Sequence, residues 1–259
     1  MRTKLVKILL LILAGLVCVG AYFGYRNRAM DALYVNAAGY PPSTGGASES
    51  VAAIKRLATY RGGRATELLL SLAMGEGPAQ LLWPDTRAEA IKQLSARADP
   101  SIALTLAKML QPHERFGTRK AAAEALKSMP CNHECIRLVL HYLERISAGE
   151  LNHEDRFLQL PENHDVTDRL KKEEEALYAD LYLVLRNNKS DALANLISTY
   201  GLGSPDPSAF GLAVATRMSL QESCPYLLQS SRELQKFPPQ VYASPRQELQ
   251  NAISSLNCR

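Results

Sequence analysis

Three His-Glu dipeptides, His113-Glu114, His133-Glu134 and His153-Glu154, recur every 20 residues and are the side chains best suited to chemistry in this chain. Imidazole and carboxylate together suit iron or zinc. Cys131-Asn132-His133-Glu134-Cys135 adds two thiols, whose pKa a helix start would lower. Neither pattern closes into a site. A structural zinc site needs four ligands, and no second Cys/His cluster has matching spacing. Gly117, Arg137 and Phe157 stand where the zinc-protease helix motif needs its second histidine. Glu150, Glu154, Asp155, Glu162, Asp165 and Asp168 crowd one stretch, but their spacing is unlike a calcium loop and reads as a solvated one. No phosphate loop or nucleophile elbow occurs, and Gly201-Leu202-Gly203 is too short for a dinucleotide site. The sequence therefore assigns no catalytic residue, no cofactor and no metal ligand and points to an interaction scaffold; a metal-binding protein or metalloenzyme using the His, Glu and Cys positions between 113 and 168 is the alternative reading.

The cysteines have a structural reading instead. Cys224 opens a helix ahead of Pro225, and Cys258 is the penultimate residue. A returning helix hairpin would bring the two together across their 34-residue separation and fasten a terminal cap. Cys131 and Cys135 can close only a small local loop, and form the second expected bridge. Such bonds persist on the oxidising side of a membrane.

The elements that carry these residues repeat. Val51-Ala52-Ala53-Ile54-Lys55-Arg56-Leu57, Ala88-Glu89-Ala90-Ile91-Lys92-Gln93-Leu94 and Ala123-Glu124-Ala125-Leu126-Lys127-Ser128-Met129 are variants of one stretch, at offsets of 37 and 35. A second apolar helix follows each. Ile102, Leu104, Leu106 and Met109 answer to Ile136, Leu138, Leu140 and Leu143 at an offset of 34, with Leu69 and Leu72 in the first copy. One pair of amphipathic helices leaves an apolar face uncovered, so successive pairs must stack.

Thr86-Arg87-Ala88-Glu89-Ala90-Ile91-Lys92-Gln93-Leu94, followed by Ala98-Asp99-Pro100 and the helix from Ser101 to Leu110, resembles a HEAT repeat. So does Thr118-Arg119-Lys120-Ala121-Ala122-Ala123-Glu124-Ala125-Leu126. The likeness covers about Ser50 to Ile146 and implies an all-α protein, an α-solenoid of stacked antiparallel helix pairs. Deoxyhypusine hydroxylases, HEAT-like di-iron enzymes, build their site from His-Glu pairs in step with the repeats. The 20-residue spacing here is out of phase with a unit of about 35, which would turn the pairs in different directions.

Ile8 to Tyr25 is an uncharged run of 18 residues, flanked by Arg2, Lys4 and Lys7 before and by Arg26 and Arg28 after. At about 1.5 Å per residue it nearly spans a ~30 Å hydrocarbon core and reads as a single transmembrane helix. A cleaved signal peptide ending near Val19-Gly20-Ala21 is the competing reading. Three cations before the run against two after favour a cytoplasmic N-terminus, with the helical domain extracytoplasmic. These five cations also outweigh the formal charge of +4, so the rest of the chain carries −1 and lacks the basic footprint of nucleic-acid binding. The expected organisation is an anchor over residues 1–28, a flexible linker over 29–49, HEAT-like repeats over 50–147, and divergent helical repeats with a cap over 148–259. The expected partners are the membrane, through the first helix, and a protein or peptide in the solenoid groove.

Overall fold

A computed structural model describes residues 2–38, 46–76, 84–97, 99–111, 114–147, 164–188, 193, 197–199, 202–204, 207–240 and 242–258. Backbone alone is described at 2–11, 46–47, 84–85, 146–147 and 164–174. Among the described residues there are helices and no strand. The chain divides into two compact units, Met1–Arg97 and Ala98–Arg259, and the division falls inside the stretch expected as one run of repeats.

The first unit holds α1 (Arg2–Ala37), α2 (Gly46–Thr59), α3 (Gly63–Met74) and α4 (Pro84–Ser95). α1 changes character along its length. From residue 12 to Tyr25 every side chain is exposed, whereas Met30 and Ala37 are buried where the helix packs on α2 and α3. The expected linker from residue 29 is therefore corrected: nothing before Gly39 breaks a helix, and the later turns of α1 dock. The Tyr34 and Ser71 hydroxyls meet at 2.9 Å, and Arg64 pairs with Asp31 at 2.8 Å. α2 likewise begins at Gly46, inside the expected linker, and residues 39–45 lie outside the described ones.

The expected transmembrane helix is not shown: among the described residues no helix is long and apolar enough to cross a membrane. The described apolar side chains begin at Ile12, and 14 residues rise only about 21 Å.

α2, α3 and α4 pack on one another around Ile54, Leu57, Leu69, Leu72, Ile91 and Leu94, all fully buried. The chain reverses between α2 and α3 in three residues, which Gly62 allows by taking φ 126°. α3 closes on Gly75 at φ 69°, whose N–H and that of Glu76 return to Leu72 O and Ser71 O. Arg87, in the first turns of α4, donates from Nε to Ala73 O at 2.9 Å, placing its charge at the negative end of α3.

The second unit holds α5 (Pro100–Lys108), α6 (Phe116–Leu126), α7 (His133–Ser147), α8 (His164–Asn187), α9 (Ala209–Arg217), a 3₁₀ turn (Gln221–Ser223), α10 (Cys224–Leu234) and α11 (Ala243–Ser255). Asp99 caps α5, its Oδ1 accepting from Ser101 N at 2.8 Å, with Pro100 at the first helical position. α5 packs on α6 and α7, α8 on the same two, and α11 on α9 and α10.

The offset of 34 between second helices matches the burial position by position. Ile102 and Ile136, Leu106 and Leu140, and Met109 and Leu143 are buried, while Leu104 and Leu138 are both half-buried. For the first helices the offset shifts. α4 and α6 start 32 residues apart, so Thr86, Ala90, Ile91 and Leu94 answer to Thr118, Ala122, Ala123 and Leu126, all buried. The offset of 35 matches the burial as well, with Ala90 and Ala125, Ile91 and Leu126, and Leu94 and Met129 all buried, because the two offsets differ by about one helical turn and keep the same face inward.

Candidate functional site

The structure brings together both expected cysteine pairs. Cys224 and Cys258 lie with their sulfurs at bonding distance and their Cα atoms 5.4 Å apart. Cys224 is the first residue of α10, and Cys258 follows α11. Asn257 at φ 52° turns the chain back there, and Cys258 N–H donates to Ile253 O at 3.1 Å. Asparagine tolerates this left-handed position better than most residues. Gln221 Nε2 donates to Leu256 O at 2.7 Å beside the cystine. At the other end of the pair, Arg246 on α11 donates to Leu234 O and, at 2.8 Å, to Phe237 O, satisfying carbonyls where α10 stops. Between α10 and α11 lies a cavity of about 320 Å³ whose lining includes Gln235, Gln247 and Gln250.

Cys131 and Cys135 also lie at bonding distance, with Cα atoms 5.3 Å apart, at the start of α7. Asn132 Oδ1 accepts from Cys135 N and Asn188 Oδ1 from Cys131 N, both at 2.9 Å, so α8 holds this turn in place.

The candidate metal ligands do not converge among the described residues. There, no group of three or more His, Cys, Asp or Glu is placed to hold a metal ion. His133 is exposed, and Glu134 accepts from Arg137 Nε at 2.8 Å and Nη2 at 2.5 Å. The Arg137 hydrogen bonds hold the Glu134 carboxyl below the usual carboxylate range. His113, Glu150, His153, Glu154, Asp155 and Glu162 lie outside the described residues, as do the side chains of Asp165 and Asp168 on α8.

One cluster has no counterpart in the sequence reading. The Arg217 guanidinium on α9 lies 4.3 Å from the Tyr182 ring centre and 5.2 Å from that of Tyr178, and the two hydroxyls are 3.2 Å apart. Burial, then the Tyr178 hydrogen bond, pushes the Tyr182 phenol up. The i,i+4 tyrosines on α8 were a visible signal, but nothing local points from them to position 217.

The last feature is the first half of α1. Ile12, Leu13, Leu16, Val17, Val19, Tyr22, Phe23 and Tyr25 are each more than half exposed, on every side of the helix. A helix apolar all round belongs inside protein or lipid. No known family model, curated protein or solved structure matches this chain.

Proposed function

We propose that this protein is a membrane-tethered helical-repeat scaffold whose work is to bind another protein or peptide rather than to catalyse a reaction. The observation that carries the reading is the exposed apolar half of α1, continuous with turns that pack into the first unit. From Ile8 the uncharged run is 18 residues, about 27 Å of helix, which reaches across a bilayer with slight thinning. The two cystine pairs support placing the helical units on the extracytoplasmic side.

A HEAT-like solenoid is the architecture we infer within this reading. Contacts of α2 with α4, of α5 with α7 and of α6 with α8 support it, because in stacked pairs each helix meets the next but one. The amide-lined cavity between α10 and α11 suits the N–H and C=O groups of a bound peptide. Fractionation tests the tether: the full chain should stay with membranes through carbonate washing, and crosslinking from intact cells should then capture a defined protein partner. A soluble chain whose N-terminus begins near Tyr22 would sink the tether, and stoichiometric metal in the purified protein would replace scaffold by metalloprotein.

A further inference from the structure

Arginines gather at the end of the first unit from which the apolar half of α1 projects. Arg26, next after Tyr25, donates from Nη2 to Arg61 O at 2.5 Å, and its guanidinium lies 5.9 Å from the Tyr60 ring centre. Arg97, just past α4, donates to Tyr60 O at 3.0 Å and to Thr66 Oγ1 at 2.6 Å. Arg26, Arg61 and Arg97 thus meet at the turn between α2 and α3, and Arg28 stands exposed two residues along α1.

These cations differ from their neighbour. Arg64 is answered by Asp31 at 2.8 Å and Glu67 at 3.6 Å, whereas among the described residues no carboxylate pairs with Arg26, Arg28, Arg61 or Arg97. Burial and the adjacent Arg61 charge both push the Arg97 guanidinium below its ordinary value. Like charges held together in this way favour an anion beside them.

The axis of α1 indicates which anion. At about 1.5 Å per residue, Arg26 and Arg28 lie within about 5 Å of the last apolar residue, so a bilayer that takes up the apolar run ends at the arginines. We propose that Arg26, Arg28, Arg61 and Arg97 bind the headgroup phosphates of anionic phospholipids in the leaflet facing the first unit and seat that unit on the bilayer surface. This rests on reading α1 as a membrane anchor. The planar guanidinium fork suits phosphate oxygens, and each basic residue at such a surface changes affinity about fivefold.

The test uses the full chain in nanodiscs of phosphatidylcholine, with and without phosphatidylglycerol, read by hydrogen exchange over residues 58–66. Exchange should slow only in the discs containing phosphatidylglycerol, and high salt should erase the difference. Arg61→Gln should reduce the ratio of exchange rates between the two discs about fivefold. Arg61→Glu should abolish it, and Arg28→Gln, at an exposed position outside the turn, should weaken it similarly. A chain that enters both discs with equal exchange overturns the headgroup assignment while leaving the anchor standing. Slowing by inorganic phosphate alone in phosphatidylcholine discs would make the cluster a free-anion site and overturn it as well. A chain recovered outside the discs overturns the anchor, and this inference with it.

Discussion

Helices α2 to α4 and helices α10 and α11 are of similar length and hold together by different means. The first group buries Ile54, Leu57, Leu69, Leu72, Ile91 and Leu94 completely and contains no cysteine. The second buries Leu227, Leu234, Leu249 and Leu256, and adds a cystine at one end and the Arg246 bonds at the other. α11 reads Ala-Ser-Pro-Arg-Gln-Glu-Leu-Gln-Asn-Ala-Ile-Ser-Ser, a helix with few large apolar side chains to offer. Dense apolar spacing lets packing carry most of the load in the first group, with Arg87 and Arg97 adding bonds to carbonyls at the ends of α3 and α2. Where that spacing thins, covalent and polar ties at the helix ends take over, as they do in small domains with little core.

The largest expected effect would break the first half of that contrast. Ile91→Ala should destabilise the first unit by about 2–5 kcal/mol, measured by urea unfolding, because the side chain is fully buried and its loss leaves a cavity. A cost below about 1 kcal/mol would mean that packing is not what holds α4.

Next comes the cystine. Replacing Cys224 and Cys258 by serine should cost about 3–4 kcal/mol on the chain-entropy model. Hydrogen exchange should quicken across residues 221–258 and stay unchanged in α2 to α4. Intact-mass alkylation of protein extracted without reductant should modify Cys18 alone; additional alkylated thiols would remove the covalent side of the comparison.

A smaller effect follows pH. The Ser101 hydroxyl and backbone N–H hold the Asp99 carboxyl below its ordinary value. A carboxylate depressed in the folded state stabilises above its unfolded pKa, and that stability is lost as pH falls through the folded value. Asp99→Asn should therefore flatten the acid limb of the stability profile of the second unit, while the first unit's profile stays as it was.

The smallest effect sharpens the register. Lys92, exposed beside Ile91, should tolerate alanine within about 0.5 kcal/mol. Equal melting shifts at the two positions would show that α4 is rotated.

Much of the local structure was legible because helical signals are local. Asp99-Pro100 marked the start of α5, and the offset of 34 marked Ile102, Leu106 and Met109 with Ile136, Leu140 and Leu143 as buried positions. The helices expected only as divergent repeats with a cap over 148–259 include α9, α10 and α11. Asp165, read as part of a solvated acidic stretch, lies in α8, which starts at His164. The expected linker from residue 29 meets a different structure: α1 continues to Ala37, and its later turns bury Met30 and Ala37.

The sequence by itself determined the helical class and the inward face of the repeated helices, and it offered the two cysteine pairings as one of three connectivities. Each depends on spacing along the chain, which a 3.6-residue period or a short loop converts directly into geometry. Only the tertiary structure decided that α1 packs from Met30 onward, that Arg217 stacks on Tyr178 and Tyr182, and that Arg26, Arg61 and Arg97 meet at one turn. The arginine contacts join residues 35 or more positions apart and the docking of α1 joins separate helices; in both, the partner is chosen by how helices pack in three dimensions and no periodicity along the chain records it.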